Sequence, residues 1–164
     1  MHNVLALTDR AIVAYLINQG CGSNSNIFPF KKSTQKALPC VIVHSHNGTP
    51  VATFDGAYEV LCSVIVRTLG AVDEPQSETD PIDANDLLVD QVSSALHKFG
   101  NGASSGGDLA DLITQAALSA GNSDFTCQDA GIEKIDVSVD YQHQMDAWTD
   151  EIVLRLVVCS GDVS

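Results

Sequence analysis

The stretch Ala57–Leu69, AYEVLCSVIVRTL, constrains the fold more than any other part of the chain. Tyr58, Val60, Cys62, Val64 and Val66 fall on one side of an extended backbone. Glu59, Leu61, Ser63, Ile65, Arg67 and Leu69 fall on the other. Period-two alternation, rich in β-branched residues and without an internal Gly or Pro, predicts a strand. The second side is only partly polar, so both sides are expected to be covered to some degree. The length exceeds the usual five or six residues, which fits the central strand of a small sheet with helix packed against it. Gly56 and Gly70 bracket it.

Flanking segments supply the rest of an α+β domain. Val4–Asn18 carries two adjoining helical stripes, Val4, Leu7, Ala11, Tyr15 and Leu5, Ile12, Leu16, with Asn3 as the expected cap and Gly20 and Gly22 as the stop. A polar turn, CGSNSN, leads to the apolar anchor Ile27-Phe28-Pro29-Phe30 and to Lys31, Lys32 and Lys36. Leu38–His44 is a predicted strand with Pro39 at its start, since proline donates no ladder hydrogen bond. Asn47-Gly48 predicts a tight turn, and Val51–Phe54 a return strand. Residues 71–86 form an acidic segment with Pro75, Pro81 and no basic residue, read as a loop. Asp83 is the expected cap of a helix reaching Phe99, with Leu88, Val92, Ala95, Leu96 and Phe99 on one side. Residues 100–107 read as a flexible linker. Asp108 then caps a helix over Leu109–Ala120. Ile132–Tyr141 and Glu151–Cys159 alternate as two closing strands, with Trp148 at the hairpin tip. This order predicts a single domain over 1–164 with a mostly antiparallel sheet and helices packed on one face.

The chain has 164 residues, 45% of them hydrophobic, enough to bury a core. Twenty-one acidic and eight basic residues give a formal net charge of −13. Neutralising nucleic-acid phosphates or anionic lipid requires the opposite balance, so neither a nucleic-acid coat nor a membrane surface is the expected partner. The charge implies solubility through self-repulsion, or an acidic surface within an assembly. Lys31, Lys32 and Lys36 are the one positive cluster. The five cysteines are odd in number and form no CxxC, and Cys62 and Cys159 sit in apolar strand patterns. Free buried thiols in a reducing cytoplasm are expected. The start, MHNVLALTDR, lacks a basic leader region and meets Asp9 early, unlike a signal peptide. No apolar run approaches the roughly 18 residues of a membrane helix.

No catalytic set emerges. His44 and His46 end a predicted strand, with Cys40 upstream. Two imidazoles and a thiolate can bind zinc, but no further ligand is suitably spaced, so no metal is expected. Cys40 and His44 could pair as nucleophile and base, yet lie too far apart along an extended strand for a direct hydrogen bond. GNGASSGG follows a helix and carries no Lys, unlike a phosphate loop. The acidic segment lacks the ligand spacing of a calcium loop. No cofactor is implied.

The order of segments is nonetheless familiar. An N-terminal helix, IFPF, LPCVIVH, YEVLCSVIVRT, LLVDQVSSALHKF and IDVSVDYQHQMDAWTDEIVLRLVV follow one another. Their sequence resembles the tail terminator (tail completion) proteins of long-tailed bacteriophages, the minor tail protein U group and related neck proteins. The resemblance spans most of the chain and rests on segment order. Residues 101–122 are an addition relative to the shorter members. It implies a structural virion protein without enzymatic activity, assembled in the host bacterial cytoplasm and resident in the tail or neck. It implies a homo-oligomeric ring, a hexamer, that caps the tail tube and ends its polymerisation. Its partners would be further copies of itself, the tail tube protein and the head completion or connector protein. DNA would pass through the lumen without specific binding. A head-to-tail ring needs two unlike patches. Lys31, Lys32 and Lys36 are candidates for one and the acidic loop Asp73–Asp86 for the other, with Phe28, Phe30 and Trp148 as aromatic contacts, and Asp73, Glu74, Glu78 and Asp80 could line the lumen. Three alternatives stand beside this: another neck or head–tail connector protein, a small cytoplasmic enzyme using Cys40 or the histidine pair, and a monomeric binding module without assembly.

Overall fold

The computed structural model describes residues 2–23, 25–29, 39–51, 56–69, 84–97, 108–140 and 147–160. Helix α1 spans His2–Asn18, followed by strands β1 (Ile27–Pro29), β2 (Cys40–Pro50) and β3 (Ala57–Leu69). Helices α2 (Ala84–Leu96) and α3 (Leu109–Ser119) come next, and strands β4 (Phe125–Asp140) and β5 (Ala147–Ser160) close the order. The five strands run β1-β2-β3-β5-β4 across one sheet, so β3 is central. All pairs are antiparallel except β1–β2, which is parallel. This is an α+β fold with a mostly antiparallel sheet.

The alternation of β3 explains how the layers stack. Val60, Cys62, Val64 and Val66 are each fully buried. They share one core with Val41 and Val43 of β2, Ile152, Leu154, Leu156 and Val158 of β5, and the apolar stripes of all three helices. The helices therefore occupy one side of the sheet. Burying a Val or Leu side chain contributes about 1.5–3 kcal/mol, so this continuous layer is the main source of stability. Tyr15 of α1 donates its hydroxyl hydrogen bond to the Ala95 carbonyl in the last turn of α2. That carbonyl belongs to the group a helix end leaves unpaired. Burial pushes the Tyr15 phenol up to about 12.

Local signals account for several boundaries. Gly20, at φ +78°, reverses the chain after α1 while the Cys21 N–H bonds the Leu16 carbonyl at 3.1 Å. The Asp108 carboxylate accepts from the Asp111 N–H at 2.9 Å, the expected cap of α3.

Other expectations are corrected. Helix α1 begins at His2, so Asn3 lies inside its first turn and does not precede it. Ile27–Pro29 is a strand, paired in parallel with Val41–Val43, beyond the simple anchor its short apolar run suggests. Asn47-Gly48 does not turn. The two residues stay in β2 opposite Leu61 and Val60, beyond a bulge at Ser45/Asn47. A two-residue preference loses here to the pairing of all of β2 with β3, and the glycine sits by a bulge, where it is tolerated. The hairpin closes later, where the Val51 N–H bonds the Ala57 carbonyl at 2.9 Å and Gly56 adopts φ +79°. The expected return strand Val51–Phe54 is absent at Val51, and Ala52, Thr53 and Phe54 lie outside the described residues. The acidic loop drawn over 71–86 is too long, because Ala84–Asp86 already belong to α2. Leu96 ends that helix, and Phe99 lies outside the described residues. The closing strands begin earlier than expected, at Phe125 and Ala147. Trp148 is therefore a strand residue, paired with Val139 and Thr68, and not a hairpin tip. Among the described residues no helix is long and apolar enough to cross a membrane.

Candidate functional site

The sheet face turned away from the helices gathers most of the chemistry that the strands carry. At its β1–β2 end, Phe28, Cys40 and Ile42 form a small second apolar cluster with Ile65. Phe28 is only 4% exposed. It packs within its own chain, so the interface role assigned to it from sequence has no exposed side chain to rest on. Burial pushes the Cys40 thiol up, partly offset by the charge of Arg67. A thiol held protonated is a weak nucleophile.

The two histidines lie side by side in the middle of this face. Their ring centroids are 5.8 Å apart with planes tilted by 43°. The bulge at Ser45/Asn47 sets their spacing. A buried carboxylate supports that bulge from the helix side, as Asp9 of α1 accepts the Ser45 N–H at 2.7 Å. The signal for this role was a lone acidic residue inside an apolar helix stripe. The His46 Nε2 lies 3.1 Å from Ser63 Oγ, and Ser63 Oγ donates to Glu151 Oε1 at 2.7 Å. Since the serine proton points to Glu151, His46 must carry its own proton on Nε2 and donate it to the serine oxygen. Ser63 is 2% exposed. The hydroxyl thus ties β2 to β5 across β3. Its proton is already committed to a carboxylate, and the histidine faces its oxygen as a donor and not as a base. That wiring is opposite to an activated serine nucleophile.

Farther along the same face, Arg155 Nε lies 3.5 Å from Glu59 Oε1 and its Nη2 lies 3.4 Å from Glu133 Oε1. One guanidinium therefore bridges carboxylates of β3 and β4. Lys134 and Asp136 pair at 2.7 Å on β4, and this contact raises the lysine's pKa. Among the described residues no three His, Cys, Asp or Glu side chains converge as metal ligands. Ser63, Glu151 and Arg155 were visible in sequence only as outward positions in alternating strands.

On the opposite side of the molecule a groove of about 460 Å³ runs between α1 and the end of α3, walled by Leu7, Ala14, Ile17 and Ala117 with Arg10 at its margin. Leu118 of α3 is 61% exposed. Phe30, Lys31, Lys32 and Lys36 lie outside the described residues, as do Asp73, Glu74, Glu78 and Asp80. The backbone of Trp148 is placed in β5, and its side chain lies outside what is described. The structure therefore does not bring the predicted basic and acidic patches together or set them apart. No protein-family model matches the chain, and no curated protein matches it.

Proposed function

We propose that this chain is a structural subunit of the neck of a long-tailed bacteriophage. It would assemble head to tail into a hexameric ring that caps the tail tube, ends its polymerisation and joins the tail to the head connector. The observation that carries this reading is the ordered set of segments resembling tail terminator proteins. Each of those segments contributes a strand or a helix to one mostly antiparallel sheet with helices on one face. The chemistry of the outer face supports a scaffold in preference to a catalyst, since Ser63 is locked between His46 and Glu151 and the Cys40 thiol is held protonated. A net charge of −13 suits a ring whose lumen passes DNA without holding it. In this reading DNA is a passenger, and the tail tube and connector proteins are the partners.

Electron micrographs of the purified protein, alone and mixed with tail tubes, test the proposal. Six-membered rings free in solution or seated at tube ends are expected. Opposite charges speed encounter but add modest affinity, so raising salt should slow assembly. Replacing Lys31, Lys32 and Lys36 together by Glu should weaken it further. Particles that stay monomeric at high concentration, with and without tubes, would remove the support for a ring.

A further inference from the structure

Strand β4 lies at the edge of the sheet, so among the described residues one of its hydrogen-bonding sides has no strand partner. Its two halves treat that side differently. The first half is interrupted by bulges at Cys127/Asp129 and Ile132/Lys134. There Thr114 Oγ1 of α3 accepts the Cys127 N–H at 2.9 Å and lies 3.2 Å from the Cys127 carbonyl. Bulges and covering helices are how edges are blunted against unwanted pairing. Among the described residues the second half has neither device. From Lys134↔Val153 to Asp140↔Ala147 the register against β5 is unbroken. Ile135 is 52% exposed, and the Lys134 and Asp136 side chains are 62% and 49% exposed.

The residues of this open half, KIDVSVD, are complementary to themselves in one antiparallel register. With Val137 on a two-fold axis, Lys134 stands opposite Asp140 of the second copy. Ile135 stands opposite Val139, Asp136 opposite Ser138, and Val137 opposite itself. Opposed apolar and opposed unlike charges are the favourable cross-strand pairs, and like charges the unfavourable ones. Moving the axis to Asp136 sets that carboxylate against its own copy. Moving it to Ser138 sets Asp136 against Asp140. Slipping by one residue opposes apolar positions to polar ones. Among the registers that pair at least five of these seven positions, this one alone matches both charge and apolarity.

We propose that residues 134–140 of β4 form an interaction surface for a second copy of this chain. Two subunits join there edge to edge across a two-fold axis and continue the sheet from one into the other. The partner is the same sequence because the same seven positions complete each other, as an isologous contact requires. This pairing is independent of the neck assignment, whose ring uses a head-to-tail contact between unlike patches.

Sedimentation across a concentration series, joined to disulfide trapping, tests it. The wild-type chain should show a reversible dimer. Lys134→Asp alone and Asp140→Lys alone should each weaken it about tenfold, because two symmetry-related pairs become like-charged. The double exchange should restore it. Under a mild oxidant Val137→Cys should form a dimer linked at that position, because directly opposed residues lie within disulfide reach. Ile135→Cys should not, because it faces Val139. Circular dichroism and melting curves matching wild type would show that the β4 variants fold. A chain that forms no two-fold dimer at any concentration, a dimer indifferent to both single exchanges, or equal trapping at positions 135 and 137 would overturn the proposal. Failure of the ring experiment leaves this result untouched, since rings and two-fold dimers are separated by mass and by trapping pattern.

Discussion

The two sides of β3 are built on different physics. Toward the helices, Val60, Cys62, Val64 and Val66 are fully buried in a core made mainly of the apolar stripes of other elements, with Ser45 and Asp9 the polar groups near Cys62. Away from the helices, Ser63 is buried inside a hydrogen-bonded relay, while Glu59, Leu61, Ile65 and Arg67 are half-buried. The first side is held by area removed from water, which is non-directional and tolerates many apolar choices. The second is held by a few directional contacts, each of which needs a particular atom in a particular place. The helix-covered side should therefore dominate stability, and the open side should govern how strands β2, β3 and β5 align.

Substitutions can break that contrast in order of size. Leu154→Ala, at a fully buried position on the helix side, should cost about 2–5 kcal/mol in urea unfolding. A loss near zero would mean that the helices do not cover this face. Asp9→Ala should cost about 1–3 kcal/mol, because it strands the Ser45 N–H at the bulge. Amide exchange at Ser45 should rise in the same variant, and unchanged exchange would show that the carboxylate does not support the bulge. On the open side, Ser63→Ala should cost about 1 kcal/mol. Its effect should be largely lost in a chain already carrying His46→Ala and Glu151→Ala, as a double-mutant comparison would read.

The same contrast has a pH signature. Burial pushes the Cys62 thiol up from 9.0 to about 12. Unfolding therefore releases a proton between those values, and stability is full below pH 9 and falls as pH rises toward 12. Raising the pH from 9 to 10 should cost about 1 kcal/mol through Cys62, with Cys127, also raised to about 12 by burial, acting in the same direction. Thermal melts of wild type and of Cys62→Val should diverge in slope above pH 9, and parallel slopes would show that the thiol is accessible in the native state. The smallest effect belongs to the exposed bridge. Arg155→Ala, with a side chain 56% exposed, should change stability by less than about 0.5 kcal/mol and less still in high salt.

Much of the helix-covered side was legible in the chain. The limits of β3 follow from its alternation and bracketing glycines, and the cap of α3 from Asp108. Val4, Ala11, Ile12, Tyr15 and Leu16 of α1 and Leu88, Val92, Ala95 and Leu96 of α2 follow from helical spacing, whereas the buried Thr8, Asp9 and Val13 lie outside the expected stripes. Each is a local signal, in which the residues that decide the outcome lie within a few positions of it. The open side was not legible in the same way. His44 and His46 were visible as a pair, but Ser63, which bonds His46, and Glu151, which bonds Ser63, come from strands whose neighbourhood cannot be read from spacing. The turn expected at Asn47-Gly48 failed because a two-residue preference competes with a whole strand's pairing.

The sequence by itself determined the α+β class, the central strand, which faces of the helices are apolar, and the acidic balance of the chain. Only the tertiary structure decided that Ile27–Pro29 pairs in parallel, that β4 lies at the edge, that a bulge rests on Asp9, and that Ser63 joins His46 to Glu151. Period and capping are set by near neighbours. Pairing order depends on which distant segments bury the most surface together, and Ser63 and Glu151 stand 88 residues apart in the chain before the sheet brings them within 2.7 Å.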